Sequence, residues 1–574
     1  MNIKKNLKWL LLLFVATVNF SLLNSNLEAK SITKLVEVYK NNVLQETKYG
    51  MVQGRLAESE KVLVWEGIPY AKADRWKSPV AIEKWDGVLD ATKVGKVGVQ
   101  LSGKNVIGSE DCLNLDVFRP NNSNTNLPII VYIHGGNNQS GTSKEISPEK
   151  LSINTNSIVV SVNYRLGLFG FNNLPSLKTG NKLEDSGNYT LLDIAKSLDW
   201  VEENASYFGG NNKNVTVSGF SAGGRYVMAM LISPLFKNKC QKAISFSGGM
   251  TIANSVESQK LFAKALAPLV IEDKIKNTEE EAYQWLLTDK KEVRDYLYSL
   301  SADRLGKLMT NAGIRMNVFP HLFNDGIVLP KDGFDAKNYN NVPLLMVTGS
   351  SEFSLFGRFD SYFAKYDDKT LLTDDIKSKE YAFVYKYGNR LYGLFNAQES
   401  AERMFSNYKN DIYTCDFDWG TNPEINGERT AKLYGALHGI WIPFLTDNIM
   451  GASGLIKDSF NNNGTKDLTK VFTSYVKNFI WQGNPNGEGL VKWNKWQNIE
   501  KGNQLLLNAD NEKSIIIMAT EKDSYNKIIK DIKADRTVDE TTKKVLLGTV
   551  LNGRWFSKGL DSEFGNTREW IQVK

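Results

Sequence analysis

The stretch that most constrains this chain runs Val215-Thr216-Val217-Ser218-Gly219-Phe220-Ser221-Ala222-Gly223. Its apolar, β-branched start reads as a buried strand. A serine flanked by glycines follows, and then an amphipathic helix pattern over Tyr226–Leu231. Strand, tight turn and helix in that order is the context that turns G-x-S-x-G into a nucleophile elbow. Gly219 and Gly223 leave room for a cramped backbone, so Ser221 can sit in a strained turn with its hydroxyl presented. The helix beginning just after it points N–H groups and its positive end at the same place, which favours an anion developing there. A small serine that merely fits between strand and helix gives the same local pattern, so partner residues must decide.

The chain has 574 residues, 42% hydrophobic and 23% charged, the composition of a globular protein. Its 70 basic and 64 acidic residues are well mixed, and no basic block interleaved with aromatics marks a nucleic-acid surface. The first residues carry Lys4, Lys5 and Lys8 ahead of an apolar run from Trp9 to about Val18, then polar residues up to Ala29. That is the pattern of a secretory signal peptide over 1–29, cleaved after Ala29; an uncleaved anchor is the alternative. No later segment is apolar for the roughly 18 residues that a spanning helix needs. Cys112, Cys240 and Cys415 are too few for a disulfide framework, and three histidines without a C-x-x-C give no zinc pattern. Neither cofactor nor metal is expected.

Beyond the leader, residues 30–574 read as a single domain. Residues 34–70 alternate as antiparallel strands, first over Leu35–Tyr39 and again over Lys61–Trp65. Leu127–Ile133 and Ser157–Val162 are near-continuous apolar runs, expected for central strands buried on both faces. Residues 190–208 have helical periodicity, Val342–Val347 reads as another buried strand, Phe472–Trp481 as a helix, and 513–518 as a last short strand. Apolar strands alternating with helices give an α/β class with a mostly parallel, doubly covered sheet. The charge-rich helical stretch at about 254–310 reads as an insertion over the sheet's C-terminal edge, or as a solvated crossover pair. The tail from 520 is polar and partly helical.

A serine nucleophile needs a base within hydrogen-bond reach and an acid that fixes the base's tautomer. In an elbow-type site these follow in the order serine, acid, histidine. Two histidines come after Ser221. His321 lies between Pro320 and Leu322 with no carboxylate beside it, whereas His438 lies in a glycine-flanked loop suited to reaching a site. Glu352 follows a buried strand and the turn Gly349-Ser350-Ser351. His134-Gly135-Gly136, at the end of Leu127–Ile133, is the glycine-rich loop type that offers two backbone N–H groups to an oxyanion, with the N–H of Ala222 as a third.

These pieces in this order resemble the type-B carboxylesterases, the α/β-hydrolase family that includes cholinesterases and bacterial para-nitrobenzyl esterases. The resemblance spans about Lys48 to Trp496. It is carried by Trp65-Glu66-Gly67-Ile68-Pro69-Tyr70-Ala71, Glu110-Asp111-Cys112-Leu113-Asn114-Leu115, His134-Gly135-Gly136, Asn163-Tyr164-Arg165-Leu166-Gly167, the elbow, Asp325-Gly326, Glu352, His438-Gly439 and Gly483-Asn484-Pro485. It implies Ser221, Glu352 and His438 as a catalytic triad, an oxyanion hole from Gly135, Gly136 and Ala222, and a small-molecule ester as substrate. The chain departs from the family pattern at Phe220, where a glutamate is common, and at Asn137-Asn138, where a third glycine is frequent. It also lacks a cysteine near Gly98-Val99-Gln100 to pair with Cys112, which implies a free buried thiol. An amidase or lactonase with the same machinery, and a non-catalytic binding or adhesion protein on the same fold, are the alternative readings.

Overall fold

The computed structural model describes residues 39–309, 319–447, 453–499 and 501–566. The leader expected at 1–29 lies outside them, as does the strand expected at Leu35–Tyr39 except for Tyr39. The frame among these residues is an eleven-stranded sheet. In chain order its strands are β1 (Arg55–Leu56), β2 (Val62–Pro69), β3 (Asn114–Pro120), β4 (Leu127–Ile133), β5 (Ile158–Val162) and β6 (Gly210–Phe220). There follow β7 (Lys242–Phe246), β8 (Leu344–Gly349), β9 (Ile412–Phe417), β10 (Gln504–Ala509) and β11 (Ser514–Met518). Their order in space is β11-β10-β9-β8-β7-β6-β4-β5-β3-β2-β1. From β5 through β4 and β6 to β10 every pairing is parallel, while β1, β2, β3 and β11 add antiparallel margins.

The apolar runs become central strands because both faces are covered. Val131 and Ile133 of β4, Val217 of β6 and Met346 of β8 enter one core, while Ile130, Tyr132, Ile244 and Leu345 enter the other. Asn463–Gln482 shows how a helix joins them. Its buried positions Leu468, Phe472, Tyr475, Val476, Phe479 and Ile480 recur at helical spacing. The Asn462 side chain accepts from the Thr465 N–H at 2.8 Å to cap its start, and Gly483 at φ 77° ends it.

Helices also form where the sequence indicates them, over Tyr189–Asn204 and Ala222–Ile232. The charged stretch after 254 holds Ser255–Glu272, Glu279–Leu286, Lys291–Ser299 and Ala302–Leu308. The tail is more structured than its polar composition indicates, with helices Tyr525–Ala534, Glu540–Thr549 and Lys558–Phe564. No helix among the described residues is long and apolar enough to cross a membrane. Cys112, Cys240 and Cys415 are buried free thiols, and burial pushes each above the usual thiol range, so they pack as small apolar residues.

Candidate active site

β4 and β6 are neighbours although β5 separates them in sequence, so the loops after both strands open side by side at the C-terminal edge of the sheet. Sites gather at such a switch point. Ser221 follows β6 at once, with φ 56° and ψ −116°. A non-glycine residue holds such a conformation at a cost of about 1–3 kcal/mol, so the surroundings must impose it. They do so through two backbone hydrogen bonds, Ser221 N–H to the Phe246 carbonyl at 2.9 Å and Arg225 N–H to the Ser221 carbonyl at 3.0 Å. The flanking glycines are required by close approach. A Cβ on Gly223 would stand 2.0 Å from the Ile133 carbonyl oxygen, and one on Gly219 2.4 Å from the backbone of Gly223.

Glu352, in the turn after β8, is fully buried and meets His438 directly, Nδ1 of the imidazole against Oε2 of the carboxylate. The other carboxylate oxygen accepts from the Gly349 N–H at 2.7 Å, the Ser247 hydroxyl at 2.5 Å and the Thr348 hydroxyl at 3.2 Å. With Nδ1 committed to Glu352, Nε2 is the nitrogen available to accept a proton, and it has no hydrogen-bond partner among the described residues. The imidazole is walled by aromatic rings: Phe220 at 4.6 Å, Phe356 at 5.2 Å and Tyr392 stacked at 5.8 Å, centroid to centroid. Phe220 is the residue before Ser221, so this packing sets the imidazole against the elbow. His321 is elsewhere, buried against Phe171, Tyr226 and Trp555 and held neutral by burial and by the charge of Arg225.

The glycine loop after β4 lies against the elbow, for a Cβ on Gly135 would fall 3.0 Å from the Ser221 Cβ. The N–H groups expected to receive an oxyanion differ in what they already bond. The Gly135 N–H is not free; it donates to the Glu145 carboxylate at 2.8 and 2.9 Å. The N–H groups of Gly136, Asn137 and Ala222 donate no hydrogen bond among the described residues. Gly136 and Asn137 hold φ of 87° and 52°, so consecutive left-handed residues carry the exposed part of the loop.

Glu145 is a half-buried carboxyl that also accepts from the Tyr132 hydroxyl at 2.8 Å, and desolvation pushes its pKa up to about 7. Its unfolded value is about 4.3. Between those values the unfolded chain ionises first, so stability present below about pH 4.3 is lost as pH rises to about 7, by up to roughly 3 kcal/mol. Glu145→Gln removes this component. The difference in unfolding free energy between pH 4.5 and pH 7.5, measured with denaturant, is expected to change by about 2–3 kcal/mol relative to wild type. Identical pH dependence in the two proteins would count against it.

Several residues of the site carried no sequence signal. Glu145 belongs to no motif. Ser247 directly follows β7, and its place beside the two glycines 248 and 249 after a buried strand was the one available hint. The tail was the larger surprise. Trp555 packs its ring 5.0 Å from His321 and 4.4 Å from the Arg225 guanidinium, and Phe556 packs 5.2 Å from Tyr392. A segment some 330 residues after the elbow therefore walls the site.

The chain is similar in sequence and backbone to known proteins. The model of the carboxylesterase family matches residues 41–409 and 373–527. The chain is 31% identical over 479 residues to the para-nitrobenzyl esterase of Bacillus subtilis, covering 78% of this chain and 91% of that protein. It is 28% identical to carboxylesterase 1C of Rattus norvegicus over 81% of this chain and 88% of that one. A solved PNB esterase superposes with a TM-score of 0.64 at 28% identity, over 83% of this chain and 97% of its own. The fold is thus that of the α/β-hydrolases, and a match of this extent in both sequence and backbone leaves one assignment: the chain belongs to the carboxylesterase family.

Proposed function

We propose that this chain is a serine carboxylesterase that hydrolyses small-molecule carboxylic esters through an acyl-enzyme on Ser221. The observation that carries the reading is the buried Glu352–His438 pair, with Nε2 of the imidazole unengaged and the ring packed against the elbow. His438 takes the proton of the Ser221 hydroxyl as its oxygen attacks the ester carbonyl, and returns it to the departing alcohol. Water, deprotonated by the same imidazole, then cleaves the acyl-enzyme to the acid and restores Ser221. Glu352 keeps the Nδ1–H tautomer and stabilises the imidazolium. The tetrahedral oxyanion is received by the N–H groups of Gly136, Asn137 and Ala222, each worth roughly 3–4 kcal/mol of barrier, while Gly135 anchors the loop through Glu145.

The experiment is hydrolysis of p-nitrophenyl esters from acetate to decanoate. Release of nitrophenolate well above the buffer rate on at least one chain length is expected, and its absence on all of them would sink the reading in favour of a binding protein on this fold.

The export proposal rests on the lysines and apolar run of residues 4–18. N-terminal sequencing of the exported protein is expected to begin at Lys30. Protein kept inside the cell with Met1 still attached would overturn it.

A further inference from the structure

The helix that opens behind Ser221 buries an arginine with no counter-ion among the described residues. Arg225 is fully buried, one turn past the nucleophile. Its Nη2 donates to the Asn137 side-chain oxygen at 3.3 Å, on the glycine loop, while Nε and Nη1 have no hydrogen-bond partner among the described residues. One face of the guanidinium is covered by Trp555 at 4.4 Å. The groups that act on it are the neutral phenols of Tyr392, Tyr226 and Tyr164, with no carboxylate among them, and burial lowers its pKa from the ordinary value. Two further buried polar atoms nearby also lack partners: the hydroxyl of Tyr392, whose ring stacks on His438, and the indole N–H of Trp555, whose ring lies on the guanidinium.

Guanidinium and indole nitrogens can only donate, and a phenol can donate. A buried cation without a partner costs several kcal/mol unless something arrives to satisfy it. Donors grouped around a desolvated charge, met only by the neutral Asn137 side-chain oxygen and by no carboxylate, are complementary to an anion that accepts through two oxygens, and the arginine fork fits a carboxylate. The cluster touches both the glycine loop and the ring against His438, so a bound anion would sit within one small molecule's length of the Ser221 hydroxyl.

We infer that Arg225, with Tyr392 and Trp555, forms a subsite for a carboxylate carried by the substrate, so that the favoured substrates are esters bearing a second, ionised carboxyl group. This rests on the esterase reading above and narrows it. It also gives the tail a role, because Trp555 lies beyond residue 527, where the family match ends.

The test compares matched ester pairs in wild type, Arg225→Met and Trp555→Phe. p-Nitrophenyl hydrogen glutarate against p-nitrophenyl pentanoate places the charge on the acyl side. 4-Acetoxybenzoate against phenyl acetate places it on the alcohol side. In one pair the wild type is expected to cleave the anionic ester at a kcat/KM at or above that of its neutral match. That ratio should fall about 10- to 100-fold in Arg225→Met, the worth of a charge-assisted hydrogen bond. In Trp555→Phe, which keeps an aromatic ring over the guanidinium but loses the N–H and part of the ring area, it should fall several-fold.

Thermal melting separates a binding role from a structural one. Removing an uncompensated buried charge should leave Tm unchanged or raise it, whereas an arginine kept for folding would lower it. Should Arg225→Met fail to fold, the Trp555→Phe ratio decides. Ratios unchanged in the variants, or a wild type that rejects both anionic esters while cleaving the neutral ones, would overturn this inference alone. No turnover of any ester would remove the esterase reading and this one together.

Discussion

Ser221→Ala is expected to lower kcat on p-nitrophenyl esters by about 10⁵- to 10⁶-fold, because the acyl-enzyme route disappears and what remains is binding and the oxyanion donors alone. The fold should not notice. Ser221 is buried in the turn, but its hydroxyl makes no hydrogen bond among the described residues, and the bonds that fix its φ of 56° come from the backbone, which alanine keeps. Alanine suffers the same left-handed strain as serine, so the thermal midpoint and the circular dichroism spectrum should match wild type. Hydrolysis retained to within tenfold in a well-folded Ser221→Ala protein would refute Ser221 as the nucleophile. A large loss of activity together with a lowered midpoint would instead mean that the turn had collapsed.

Glu352→Gln should cost about 10³- to 10⁴-fold in kcat with little change in KM. The native carboxylate accepts from His438 on one oxygen and from Gly349, Ser247 and Thr348 on the other. An amide of the same shape has one acceptor and one donor. Three donors converge on the Oε1 position, so the amide oxygen is drawn there and the NH₂ turns to the imidazole. Nδ1 must then accept, the ring proton moves to Nε2, and the nitrogen needed to take the Ser221 proton is blocked. The burial that makes this pair effective also makes the substitution severe, since no solvent reaches Glu352 to offer the amide other partners. A loss below tenfold would show that Glu352 does not set the tautomer of His438.

Much of the frame was readable because it depends on neighbours in sequence. Leu127–Ile133 becomes β4 with the bounds its apolar run indicates, and the helix over 190–208 appears as Tyr189–Asn204 with a short continuation. A strand buried on both faces must be apolar along its whole length, and a helix on one face must be apolar at every third or fourth residue. Either pattern is visible without coordinates. The β6 strand was underestimated at its start. Gly210 to Asn214 are polar and only partly buried, and they join the sheet through pairing across a register shift with β4 rather than through hydrophobicity.

The sequence by itself determined the pattern on which the proposed chemistry rests: a serine between glycines, a histidine in a glycine loop, a glutamate after a strand, and the family that their order resembles. Those features are local because each answers a constraint on a few consecutive peptide units, such as room for a strained turn or N–H groups left unpaired. Only the tertiary structure decided which donors remain free and what surrounds them. Gly135 is spent on Glu145, Ser247 and Thr348 hold Glu352, and Trp555 closes from 330 positions away on Arg225, a buried cation with two of its nitrogens unpartnered among the described residues. Hydrogen-bond saturation and burial are properties of what meets in space, and spacing along the chain carries no record of them.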